Sequence, residues 1–397
     1  MAKIIAIETR EALIKRRLRR HLTKLGFHKN AHGLLETALS GKDVIRSLHA
    51  SQRSDRLAQN RHFIKERSAD LLKYFATGLD VDPSKISPVL QRVRSNTKES
   101  DLFRLAALTW SVPVSNGFGR RIRYLVWDEH NEKLIGLIAI GDPVFNLSVR
   151  DKLIDWDSEA RGERLVNVMD AYVLGAVAPY NILLGGKLVA CLVRTRDVYN
   201  DFQQTYGNTS GIISGKEKKA KLLAVTTSSS LGRSSVYNRL KLGGVQYFSS
   251  IGYTSGWGHF HVPDKLFADL RDYLRAINHP YADLHQFGQG PNWRLRTTRA
   301  ALEAIGLKED LLKHGIKREV FLCELAANAI RVLKTGRGRP SLKTLATAKD
   351  VAGMALERWV VPRAQRRPEF SAWTTDDLKR LLNNNDRAEP KKHASMG

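Results

Sequence analysis

Gly141-Asp142-Pro143-Val144-Phe145-Asn146 closes the apolar run Leu134 to Ile140, and Asp170 to Leu188 (DAYVLGAVAPYNILLGGKL) repeats the layout of a strand followed by a glycine-bearing turn. Buried strands that end on polar, turn-forming residues present their free groups at the strand ends. The two stretches therefore mark one compact α/β domain whose binding or catalytic groups lie at those ends. Towards the N-terminus, Ile122 to Trp127 and Leu134 to Ile140 flank the polar stretch Asp128-Glu129-His130-Asn131-Glu132, which predicts an antiparallel hairpin. Towards the C-terminus, Ala171 to Val177 predicts a third strand that Pro179 ends. Asn181 to Leu192 suits either a helix entered through Gly185-Gly186 or another buried strand. Leu222 to Thr227 then reads as a strand, Ser228 to Gly232 as a turn, Ser234 to Leu242 as a helix, and Gln246 to Val262 as one or two closing strands.

On either side of this core the pattern turns helical. Leu13, Leu18, Leu22 and Leu25 recur at helical spacing with Lys15, Arg16, Arg17, Arg19 and Arg20 around them, and Gly26 supplies a stop. Arg61 to Tyr74 mixes Arg61, Lys65 and Arg67 with Phe63, Ile64 and Leu71, while Lys265 to Ile277 and Arg299 to Leu312 are the clearest helices beyond Pro263. The expected division is a basic helical region over 1–105, an α/β core over 106–263, a helical region over 264–382 and a polar, flexible tail over 383–397.

Composition narrows the function. Of 397 residues, 65 are Lys or Arg against 40 Asp or Glu, a formal net charge of +25. An excess of that size attracts polyanions and supports salt-sensitive binding to phosphates, with DNA the expected partner and RNA the variant of it. The hydrophobic content of 42% is that of a folded chain, and apolar runs such as Leu134 to Ile140 are too short to span a bilayer. Cys191 and Cys323, the only cysteines, form no ligand or disulfide pattern. No membrane partner, no structural metal site and a cytoplasmic location are expected.

Arg337-Gly338-Arg339-Pro340 is the core of an AT-hook, in which glycine lets an extended backbone sit deep in a narrow minor groove and two arginines meet its negative potential. With Arg16, Arg17, Arg19 and Arg20, the two hook arginines are the candidate nucleic-acid contacts. Asp142, Asp151 and Asp170, with Asp155 and Asp157 nearby, crowd two strand ends. Carboxylates so placed are what a magnesium-dependent phosphodiester cleavage site needs, so these three are the candidate catalytic residues and Mg2+ the cofactor such a nuclease would take. The serines of Ser228 to Ser235 suit an N-cap or a phosphate cradle at a helix start. Gly211 to Glu217 falls short of a phosphate-binding Walker loop, and His259 and His261 alternate on one strand face.

The words Gly119-Arg120-Arg121-Ile122-Arg123-Tyr124-Leu125-Val126-Trp127-Asp128, Leu134 to Ile138, Gly141 to Leu147, Arg150-Asp151, Val168 to Ala176 and Gly185-Gly186-Lys187-Leu188 resemble, in the same order, the DruA family of the Druantia anti-phage defence system. The likeness is dense from Trp110 to Trp257. It implies an anti-phage role beside a large helicase-like partner, with relatives of the domain near transposase genes, and it carries no settled catalytic residues. The run of hairpin, strand, glycine-entered helix and later strand also resembles the GNAT acyltransferase fold. That likeness implies an α+β core with a GNAT-like mixed sheet and flanking helices, although Ile182 to Lys187 departs from the GNAT pyrophosphate loop. A DNA-binding defence component is the leading expectation. The alternatives are a metal-dependent nuclease and a GNAT-type acyltransferase.

Overall fold

Strands form where β-branched and aromatic residues alternate or run together, and seven of them build the central sheet: β1 (Pro88–Arg92), β2 (Arg121–Asp128), β3 (Lys133–Gly141), β4 (Val168–Ala176), β5 (Ala224–Ser228), β6 (Ser249–Tyr253) and β7 (Glu319–Glu324). The computed structural model describes residues 2–29, 35–37, 42–115, 117, 119–210, 217–255, 261–283, 293–307 and 317–383. The strand order is β6-β7-β5-β4-β3-β2-β1. Every neighbouring pair is antiparallel except β4 and β5, which run parallel through Val168↔Ala224, Met169↔Val225 and Asp170↔Thr226. Parallel neighbours need a crossover, and here it carries α7 (Gly185–Leu192) and α8 (Arg196–Tyr206).

Both faces of the sheet are covered. One packs Tyr124, Ile138, Ile140, Met169, Val225 and Phe321 against Leu188, Val189 and Leu192 of α7. The other packs Leu125, Leu137 and Val173 against Leu102, Phe103 and Ala106 of α4 (Lys98–Leu108). Further along that face, Val168, Ala224 and Leu322 meet Ile154 of α5 (Ser148–Ile154) and Val332 and Leu333 of α11 (Ala329–Thr335). The expected α+β class, with a mixed sheet and flanking helices, holds.

The chain divides into two units, and the division is not the linear one expected. One unit joins 57–254 to 318–397; the other joins 1–56 to 255–317. The reason lies in the sheet: β6 and β7 are adjacent, yet the residues between them leave the sheet unit and return. The neck of this excursion is tied by Thr254 N–H donating to Arg318 O at 2.9 Å and Arg318 N–H donating to Thr254 Oγ1 at 3.0 Å. In the second unit, α1 (Ala2–Lys24) buries Ile14, Leu18, Leu22 and the following Leu25 with Leu266, Leu270 and Leu274 of α9 (Asp264–Ala276) and Ala301 and Leu302 of α10 (Trp293–Ala304). Ile14, not Leu13, carries the first apolar position.

Two further expectations are corrected. Strand β7 lies in a stretch read as helical, because Val320-Phe321-Leu322-Cys323 was an apolar run too short to give a period. The helix expected over Ser234–Leu242 is instead a series of turns followed by a two-residue strand at Lys241–Leu242. Ser234 Oγ accepts the N–H groups of Val236 and Tyr237, and Arg239 turns left-handed at φ 60°, which together prevent a helix. The serine-rich segment before it therefore caps no helix. Gly211–Lys216 and His259 lie outside the described residues.

Candidate nucleic-acid interface

The loop after β3 is held by a buried arginine. Arg150, on α5, is wholly buried; its Nη1 donates to Val144 O at 3.0 Å and its Nη2 to Phe145 O at 2.8 Å. Its charge is met by Asp151, whose Oδ1 accepts Arg150 Nε at 2.8 Å, while Asp151 Oδ2 accepts Leu147 N–H at 3.1 Å and Arg161 Nη1 at 3.2 Å. Burial pulls the Arg150 guanidinium below its usual range, opposed by the Asp151 hydrogen bond and charge. The loop so fixed leaves Val144 63% and Phe145 51% exposed, with the Arg161 guanidinium 4.6 Å from the Phe145 ring centre.

Arg161 and Arg164 lie one turn apart on α6 (Ser158–Arg164), and Arg164 Nη1 reaches the carbonyl of Lys334 near the end of α11. The helix stops at Gly336, φ 69°, and the next residues form a closed turn: Asn328 Nδ2 donates to Arg339 O at 3.0 Å, Asn328 Oδ1 accepts Ser341 N–H at 2.8 Å, and Arg337 N–H donates to Thr335 Oγ1 at 3.2 Å. Gly338 sits at φ 103°, where a side chain is strained. Arg331, Lys334, Arg337 and Arg339 are exposed, and a Cβ built on Gly338 would lie 3.8 Å from Arg331 Nη2. Among the described residues one acid pairs with this group, Asp155, whose Oδ2 lies 2.9 Å from Lys334 Nζ on the exposed surface. The hook sequence thus forms a clamped turn, not the extended segment its residues suggest. Its physical cause is the pair of hydrogen bonds from Asn328.

On α1, Arg16, Arg19 and Arg20 are exposed, whereas Arg17 is half-buried and bound to Asp269 of α9. Arg17 is thus engaged inside its own unit, and the remaining three, like Arg10 and Lys24, face solvent.

The candidate carboxylates are mostly committed. Asp142 Oδ1 accepts Arg120 Nε at 2.8 Å and its Oδ2 accepts Arg120 N–H at 3.0 Å, while Asp151 is shared by Arg150 and Arg161. Asp170 stands in a row across the sheet, opposite Gly141 on one side and Thr226 on the other. The ring of Tyr172 lies over Gly141, where a Cβ would come within 3.0 Å of it. Thr226 Oγ1 donates to Asp170 Oδ1 at 2.7 Å. Among the described residues, no group of three or more His, Cys, Asp or Glu side chains is placed to hold a metal ion.

Desolvation pushes the Asp170 carboxyl from its ordinary 3.8 up to about 6, against the Thr226 hydrogen bond and the charge of Arg150, which act the other way. The folded chain holds this proton more tightly than the unfolded one. Its contribution to stability is therefore lost as pH rises between the two values and stays constant above them. Asp170→Asn keeps an acceptor for Thr226 and is expected to raise stability at pH 7 by about 2–3 kcal/mol, at about 1.4 kcal/mol per pKa unit, while leaving pH 3.5 little changed. Urea unfolding at both pH values checks this; a variant with the wild-type pH dependence would contradict it.

Sequence reasoning singled out Arg337 and Arg339 but not Arg164, Arg331 or Lys334. The spacing of Arg331 and Lys334, three apart just before the glycine stop, was the available signal. Arg164 comes from another helix and left none.

At the α7 start, the place that the GNAT likeness would give to a pyrophosphate, Val236 lies 3.9 Å from a Cβ built on Gly186, and Lys187 Nζ donates to Asn238 O at 3.4 Å. The family model for Druantia protein DruA matches residues 40–335. A curated relative, Druantia protein DruA of Escherichia coli (strain UMEA 4076-1), is 62% identical over 381 residues, covering 96% of this chain and 94% of that protein. No solved structure matches the chain.

Proposed function

Since the chain belongs to the Druantia DruA family, we propose that it is the nucleic-acid-binding component of a bacterial anti-phage defence system, gripping DNA phosphates and acting in the cytoplasm beside a helicase-like partner. The observation that carries this reading is the group Arg164, Arg331, Lys334, Arg337 and Arg339. These residues come from two helices and a hydrogen-bonded turn, and among the described residues only Asp155 forms an ion pair with one of them. Cations held on a rigid frame lose little freedom on meeting phosphates, and each contact releases condensed counterions. Arg16, Arg19 and Arg20 on α1 supply a second outward set. The reading rests on these cations and not on Asp142 or Asp151, whose oxygens arginines already engage.

Because the turn is closed, Arg337 and Arg339 serve here as phosphate contacts and not as minor-groove readers. Arg337→Ala with Arg339→Ala is expected to weaken binding to A·T-rich and G·C-rich duplexes by the same factor, measured by fluorescence anisotropy on labelled oligonucleotides. A loss confined to the A·T-rich duplex would restore the hook geometry, and unchanged affinity for both would remove these residues from the interface.

A further inference from the structure

The loop that Arg150 holds has no role in its own core. Burying a guanidinium is costly unless it is paired and hydrogen-bonded, and here, with Asp151 taking Nε, Nη1 and Nη2 donate to the carbonyls of Val144 and Phe145, which fixes the backbone of two residues whose side chains face solvent at 63% and 51% exposure. A loop made rigid so as to display an aromatic ring is a binding element, and the charge around it identifies what it binds. Arg161 lies against the Phe145 ring; Arg164, on the same helix, touches the turn bearing Arg337 and Arg339. The ring is therefore the neighbour of Arg161, which Asp151 also engages, and one turn of α6 leads from Arg161 to Arg164 and the cationic turn that it touches.

Resting on the nucleic-acid reading above, we propose that Phe145 is a stacking platform for an unpaired base, so that the preferred ligand is single-stranded DNA or the mouth of a fork, not uninterrupted duplex. The reasoning is chemical. An acidic peptide would use the cations and leave the ring idle; an apolar partner would use Val144 and Phe145 and bury the cations at a cost. An unpaired nucleotide matches both, since its phosphate meets arginine and its base has a flat face to offer. In intact duplex that face is covered by neighbouring base pairs.

The test is Phe145→Ala and Phe145→Trp in the full chain, with labelled duplex, forked and single-stranded oligonucleotides of equal length, some carrying 2-aminopurine as a stacking reporter. In wild type, forked and single-stranded DNA should bind more tightly than duplex, and bound 2-aminopurine fluorescence should change. Phe145→Ala should lose about 5- to 150-fold on forked and single strands, the range of base–aromatic stacking, abolish the fluorescence change, and leave duplex affinity within about twofold of wild type. Phe145→Trp should restore the fork preference. Unchanged forked-DNA affinity in Phe145→Ala, or an equal loss on duplex, overturns the stacking role while leaving phosphate binding intact. Failure of wild type to bind any of the three overturns the nucleic-acid reading itself.

Discussion

Arg150→Met is expected to destabilise the sheet unit by about 3–5 kcal/mol, the cost of removing one partner from a buried ion pair. The change strands Asp151 with Arg161 and the Leu147 N–H as its remaining partners, and frees the carbonyls of Val144 and Phe145. It also leaves a space beside Trp156, whose ring centre lies 5.7 Å from the guanidinium and whose Nε1 donates to Leu333 O at 2.8 Å. The loop and the end of α11 are therefore tied to the same arginine neighbourhood. Urea unfolding of Arg150→Met, Asp151→Leu and the double variant gives the coupling directly. The double variant should recover part of the loss, since no carboxylate then faces the vacated site and only Arg161, 15% exposed, is left without its partner; a single-variant loss below about 1 kcal/mol would mean that the pair is not structural.

The second large effect concerns binding. Arg331→Ala, Arg337→Ala and Arg339→Ala together should weaken DNA binding by about two to three orders of magnitude at 0.1 M salt. Each phosphate contact contributes about 0.9 to the slope of log affinity against log salt, hence about 0.9 log unit between 1 M and 0.1 M. Folding should survive, because all three side chains are exposed and the Asn328 bonds that close the turn go to backbone atoms. An Arg17→Ala control addresses the other unit: its partner is Asp269, so that change should act through packing and not through the salt dependence.

Local reading served well where chemistry is local. The hairpin of β2 and β3 and the strand β4 stopped near Pro179 follow from patterns within a few residues, whereas at Gly185-Gly186 the local pattern left helix and strand open and the structure has the helix. It failed where pairing is remote. Strand β7 is set between β5 and β6 by partners about 70 to 100 residues away, and its own sequence holds no period that announces this. The two-unit division has the same origin, an excursion between neighbouring strands. The site was legible in part: Arg337 and Arg339 stand out as a motif, but their shape is dictated by Asn328, and Arg164 joins them only through the packing around α11. Phe145 was visible in the opening motif without its meaning, since only the buried Arg150 shows that the loop is held. The Asp residues illustrate the reverse. Their crowding in sequence suggested a metal site, while in space each of Asp142 and Asp151 has an arginine within hydrogen-bond reach.

The most direct test of the account is the affinity for a labelled duplex oligonucleotide across a salt series, for wild type and for the Arg331, Arg337 and Arg339 triple alanine variant side by side. The account predicts a steep linear fall of log affinity with log salt for wild type, and a slope shallower by about 2.7 for the variant, at about 0.9 per lost phosphate contact. Identical slopes in the two proteins, or no binding by wild type at low salt, would contradict it.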